Sequence, residues 1–206
     1  MISELPSWPD VREALGEKVC KAFWDAVAAT RADLAEYRSL RPAWVSAHSK
    51  SGLAHWLQDR LWAHMTIELD GLPDVGMLDR EPHREIGVGY TYRFRVKRHK
   101  AGGRVETYPT PLALKFMAQG QATLDGLEEV NLIVGYEWDD ELREVGLAVV
   151  SLRDATGVKW CEPLDDLNFG EGGGNVAPVV PHTSPPSPVI THGADDEGDE
   201  AGTGEE

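Results

Sequence analysis

One stretch, Glu85 to Lys100 (EIGVGYTYRFRVKRHK), does most to limit what this chain can become. Val88, Tyr90, Tyr92, Phe94 and Val96 alternate with Thr91, Arg93, Arg95, Lys97 and His99. Successive strand residues point to opposite faces. The alternation therefore predicts one half-buried strand with an apolar side and a cationic side.

The residues before it read as helices. Ser7 is suited to cap a helix, Pro9 to its first turn and Asp10 to its positive end. Val11, Leu15, Val19, Phe23, Val27, Leu34 and Tyr37 then recur at helical spacing, and Pro42 stops the run near Leu40. After a short connector, Ser49 or Ser51 opens a second helix. Leu53, Leu57, Leu61, Met65 and Leu69 form its ridge, widened by Trp56, and Asp70-Gly71 and Pro73 end it. The two helices are expected to pack as an antiparallel pair.

From Leu72 to Arg84, Pro73, Gly76 and Pro82 read as turns. Ala101-Gly102-Gly103 is a flexible turn, with a short strand returning over Arg104–Tyr108. Thr110 and Pro111 start a helix that runs to about Gln119, with Leu112, Leu114, Phe116 and Met117 as its apolar side. Val130, Leu132, Val134, Tyr136 and Trp138 alternate as a second strand. Val145 to Leu152 is more continuously apolar, which predicts a central strand, and Val158–Cys161 is a fourth. The order predicts an α+β fold: an N-terminal helical pair packed on one face of a mostly antiparallel sheet of about four strands. Residues 1–72 form the helical segment and 73–169 the α+β sheet module, together one domain. Residues 170–206, rich in Gly, Pro and acids, are expected to be a disordered tail.

Charge divides along the same boundary. The chain of 206 residues has a net charge of −15, and the tail holds eight acids and no base. That leaves 20 bases and 27 acids, a net −7, in residues 1–169. Such a body disfavours non-specific nucleic-acid binding but allows a local basic site. Cys20 and Cys161 form neither a disulfide framework nor a metal-spaced pair. There is no signal peptide pattern and no apolar run of membrane-spanning length. A cytoplasmic protein without membrane attachment or cofactor is expected.

The best contact candidate is the basic stretch itself. Between Ile86 and Val105 lie six Lys/Arg residues and no acid. Arg93, Arg95 and Lys97 on one strand face stand about 6.6 Å apart, close to the spacing of phosphates along a nucleic-acid strand. Arg98, His99 and Lys100 extend the surface, and Tyr108 is placed to stack on a base. Cations on such a face can equally pair with acids such as Glu137, Glu144 or the tail. His55 and Asp59, four apart on a helix, share a face; with His48, His64 or His83 they could build a metal or acid–base site, but no metal motif is present. Asp139, Asp140 and Glu141 near Glu137 could hold a divalent metal, or simply form a turn. Gly172–Gly174 reads as linker.

The run YRFRVKRHK, then TYPT, then EVNLIVGYEWDDELREVGLAVVSLRD and VKW, resembles uncharacterised proteins of actinobacterial phages and mobile elements. Those are similar to the small partners encoded beside helix-turn-helix/metallopeptidase proteins in toxin–antitoxin-like pairs. The resemblance spans about Tyr90 to Trp160 and carries no catalytic residue. It implies one component of such a pair, with a protein partner encoded nearby, and RNA or DNA as further candidates. The expected function is macromolecular interaction through the basic sheet face. A metal-dependent enzyme acting on nucleic acid, and an acidic nucleic-acid mimic working through the tail, are the alternatives.

Overall fold

A computed structural model describes residues 5–80, 83–107, 109–119 and 129–164. The expected tail, residues 170–206, and Tyr108 lie outside the described residues. The elements in chain order are α1 (Trp8–Leu40), α2 (Pro42–Ala47), α3 (Lys50–Leu69), β1 (Val75–Arg80), β2 (His83–Val88) and β3 (Tyr92–Lys100). Then come β4 (Arg104–Val105), α4 (Pro111–Met117), β5 (Val130–Asp139), β6 (Glu144–Asp154) and β7 (Gly157–Pro163). No helix among the described residues is long and apolar enough to cross a membrane.

The helix starts follow the capping chemistry. The Ser7 amide donates to the Asp10 carboxylate (3.1 Å), and the Ser49 hydroxyl accepts from Gly52 (3.0 Å). Within α1, Gly16 (φ 73°, ψ 165°) interrupts the helix in a conformation open essentially to glycine alone. The apolar periodicity alone predicts no break at this position. The interruption gives α1 two separately anchored parts. The first is held by Trp8, which packs on Trp160, whose indole N–H donates to the Pro6 carbonyl. The second lies along α3. Asp33 meets Arg60 and His64, whereas Tyr37 stacks on Trp56, so the two helices are antiparallel. The segment after Leu40, expected as a connector, contains α2, with Pro42 at its start.

The sheet is larger and more mixed than expected. Among the described residues it has seven strands, in the order β1-β2-β3-β5-β6-β7, with β4 also paired to β3. The presumed single strand from Glu85 to Lys100 is a hairpin. Residue 88 opposes residue 92 and residue 86 opposes residue 94, and the tip residue Tyr90 is 80% exposed. Tyr90 therefore leaves the apolar side to which alternation assigned it. The segment expected as turns supplies β1, where Gly76 opposes Gly87. The last three strands form the expected antiparallel meander, but β3 and β5 are parallel. Parallel neighbours need a crossover, here the chain carrying β4 and α4.

That crossover changes the layering. Ile86, Phe94, Val96, Leu132, Val134, Val150 and Leu152 share one core with Val19, Phe23 and Val27 of α1 and Leu57, Leu61 and Met65 of α3. α4 lies on the opposite face, which we call the back face, so helices cover both sides. Thr110 caps it as expected, but Ala113 and Phe116 are its buried positions, while Leu112 and Leu114 stay exposed. The Gln119 side chain donates to the carbonyls of Asn131 and Arg153 and accepts from the Asn131 amide (2.6, 2.7 and 2.8 Å). It closes the end of the β5–β6 ladder beneath α4. With covering on both sides, β5 is buried at every position from Val130 to Tyr136.

Candidate functional site on the back face of the sheet

The back face displays alternate residues of the central strands: Arg93, Arg95, Lys97 and His99 from β3, opposite Asn131, Ile133, Gly135 and Glu137 of β5. The cations are mostly not free. Arg93 lies against Gly87, where a β-carbon would collide with its guanidinium at 2.8 Å, and pairs with Glu129 (3.2 Å). Arg95 donates twice to one Glu85 oxygen (2.9 and 2.6 Å) and stacks 4.1 Å from the Phe116 ring centroid. Lys100 pairs with Glu106, and Arg98 reaches the same residue at 3.8 Å. Arg98 belongs to the other face, where it packs on Trp138.

Two members of the row differ. Lys97 is half-buried and has no hydrogen-bond or ion-pair partner for its ammonium among the described residues. Burial and the neighbouring Arg95 charge hold its pKa below the ordinary lysine value. His99 is not a surface residue at all, having no exposed area. Its Nε2 meets the Ser151 hydroxyl at 2.9 Å, and its Nδ1 has no hydrogen-bond partner. Burial, aided by the Arg153 charge, pushes its pKa down to about 4, so the ring is neutral at neutral pH. The nearby Lys97 carbonyl opposes that shift slightly without completing a hydrogen bond to Nδ1.

Beside His99 the back face opens into a cavity of about 370 Å³. His99, Lys100, Glu137 and Cys161 supply its polar groups. The Gly102–Gly103 turn roofs it, with Gly103 held so close that a β-carbon would fall 2.7 Å from that of Cys161. The Arg153 guanidinium pins this turn through the Gly103 carbonyl (2.9 Å). Burial and the Glu137 and Glu162 charges raise the Cys161 thiol to about 11, which keeps it protonated and unreactive as a nucleophile. Sequence reasoning missed this group because Ser151 and Cys161 become neighbours only through the β6–β7 register.

The other candidates do not assemble as sites. His55 bonds to the Ser51 carbonyl (2.8 Å), and Asp59 pairs with Arg84 (2.9 Å), so these two do not pair with each other. His64 goes to Asp33 and His48 to Tyr37; the His83 side chain lies outside the described residues. Asp139 accepts from the amides of Glu141 and Leu142, and Asp140 accepts from the Trp138 indole, which is turn chemistry. No group of three His, Cys, Asp or Glu among the described residues is arranged to hold a metal ion. No protein-family model matches the chain, and no curated protein or solved structure matches it.

The Arg95–Glu85 pair makes a stability prediction. The two side chains are 14% and 22% exposed, so losing one partner strands a largely buried charge. Arg95→Ala is expected to cost on the order of 2 kcal/mol, below the value for a fully buried pair because some solvent reaches it. The Glu85→Ala, Arg95→Ala double variant should recover part of that loss. Urea unfolding of the four chains measures the coupling, and strictly additive losses would show that the pair is not a unit.

Proposed function

We propose that the chain is a macromolecular-interaction protein that binds a partner protein through the back face of its sheet. The observation that carries this reading is the mixed charge there. The cations Arg93 and Arg95 of β3 are met there by the carboxylates Glu129 and Glu85, and Lys97 is left over. A nucleic-acid backbone would face those carboxylates as well as the cations, on a body of net charge −7. A protein surface carries both signs and can match such a pattern. The sequence resemblance supports the product of an adjacent gene as that partner, with this chain one component of a toxin–antitoxin-like or phage-related pair.

The test uses Lys97, because its ammonium is not tied into an ion pair among the described residues. The full chain and its Lys97→Gln variant are titrated against the neighbouring gene product, RNA and DNA at several salt concentrations. The variant should associate more slowly with the protein, the difference should shrink at high salt, and the melting temperature should hold. Binding to RNA or DNA whose log–log salt slope falls by about one in the variant would replace the protein with a polyanion. Unchanged affinity for all three would end the back-face reading.

A further inference from the structure

The sheet ends on one side in β1, and the backbone of that strand is only half used. The Asp74 carbonyl accepts from the Gly89 amide (2.8 Å), on the β2 side. The N–H of the same peptide bond belongs to Val75 and points the other way. Along a strand, the N–H and C=O of one residue share a side, and successive residues alternate. Val75, Met77 and Asp79 therefore turn their N–H and C=O groups to the open edge, while Gly76, Leu78 and Arg80 turn theirs to β2. Among the described residues no strand lies beyond β1, and no other group bonds to these three outward backbones. A row of such free groups is a template for another strand. The opposite edge is less open: β7 ends in Pro163, and its Trp160 packs on Trp8 and donates to the Pro6 carbonyl.

We propose that β1 pairs antiparallel with β1 of a second copy of this chain, making a two-fold dimer through one continuous sheet. Hydrogen bonding fixes the register. All three outward residues find outward partners only when Met77 opposes Met77 of the second copy, with Val75 opposite its Asp79. That register also matches the side chains. Leu78, 47% exposed, falls opposite Gly76 of the second copy. A β-carbon on Gly76 would meet nothing within 4 Å, so the leucine has a notch to fill. Asp74 falls opposite Arg80 of the second copy at each end of the pairing. Neither side chain has an ion-pair partner among the described residues. Opposite charges thus meet between bodies that otherwise repel at a net −7 each. The two-fold uses up both β1 edges, so assembly stops at two. One edge of six residues is a small contact, which makes the dimer a weak one.

Sedimentation equilibrium of the full chain at neutral pH, from about 1 to about 200 µM, should pass from monomer to dimer and reach nothing larger. Leu78→Lys changes an exposed side chain. It should leave the melting temperature of the dilute chain unchanged and weaken the dimer at least about tenfold. Arg80→Glu should weaken it too, most of all at low salt. Oxidation tests the register. Met77→Cys should cross-link, because its Cα lies about 5.5 Å from its twin, whereas Arg80→Cys, about 20 Å from its twin, should cross-link no more than the parent. The proposal is overturned by a monomer across the whole range, by larger assemblies, by a dimer that Leu78→Lys leaves intact, or by a folded Met77→Cys chain that cross-links no more than Arg80→Cys. Sedimentation of the parent and of Leu78→Lys decides the matter even where Met77→Cys, which touches the core, does not fold.

Discussion

Phe23→Ala is expected to lower the unfolding free energy by about 3–5 kcal/mol. Phe23 has no exposed surface, and its ring centroid lies 5.1 Å from that of Phe94. It joins the longest helix to the centre of the sheet. Truncation removes the apolar burial and leaves a cavity between two rigid layers that cannot close over it. Single domains are stable by only about 5–15 kcal/mol, so the variant should melt far below the parent. The matched control is Ile67→Ala on α3, where the side chain is 66% exposed and the cost should stay within about 0.5 kcal/mol. Gln58 on the same helix would not serve as the exposed control, because its amide donates to the Val96 carbonyl at 3.0 Å. Equal losses at Phe23 and Ile67 in denaturant titrations would mean that α1 is not packed on the sheet as described.

Acid should destabilise the fold over an unusually high pH window because of His99. An unfolded imidazole titrates near 6.5, whereas the folded one titrates at about 4. Between those values the unfolded chain binds the extra proton and the folded chain does not. The stabilisation is therefore complete above pH 6.5, falls as pH drops, and levels off near pH 4. At about 1.4 kcal/mol for each tenfold change in proton concentration, the total loss is about 3 kcal/mol. Carboxylates with lowered pKa values, such as Asp33 and Asp154, lose their contribution mainly below this window. The groups around the ring are Ser151, Glu137, Lys100, Cys161 and the Arg153 guanidinium, and none of these supplies a pairing that would retain the proton. Unfolding curves from pH 7.5 to 4 measure the loss, and His99→Asn should flatten it. A parent profile that is flat across this range would show the ring to be solvated.

The helical half of the fold was legible because its periodicity is long. Leu53, Leu57, Leu61, Met65 and Leu69 recur over five turns, and all five are buried. The sheet was legible in pattern and not in topology, for a reason visible at residues 88–92. Directly opposed residues in a hairpin share a face. The Gly89-Tyr90-Thr91 tip places Val88 opposite Tyr92, so the even-numbered apolar series runs through the turn without a break in parity. Alternation alone cannot separate such a hairpin from one continuous strand. Nor does it carry direction, so the parallel pairing of β3 with β5 could not be read from either strand. β1 was hidden by Pro73, Gly76 and Pro82, which bracket or enter it and are ordinarily turn residues. For the candidate site, the cationic side of β3 was legible, but its covering was not. Glu85, Glu129 and Phe116 reach Arg93 and Arg95 from separate elements. The burial of His99 follows from β6, some fifty residues later in the chain.

The bond between the Arg31 guanidinium and the Val145 carbonyl joins residues 114 positions apart. During synthesis at about 5–20 residues per second, β6 emerges on the order of ten seconds after α1. Through that interval Val19, Phe23 and Val27 have no sheet to cover them, since the hairpin of β2 and β3 can form early but its parallel neighbour β5 is not yet made. The nascent chain thus presents a greasy helix to solvent or to a chaperone before its native partner exists. Its yield on expression should accordingly be governed by translation rate and chaperone supply, and not by the stability of the finished fold alone.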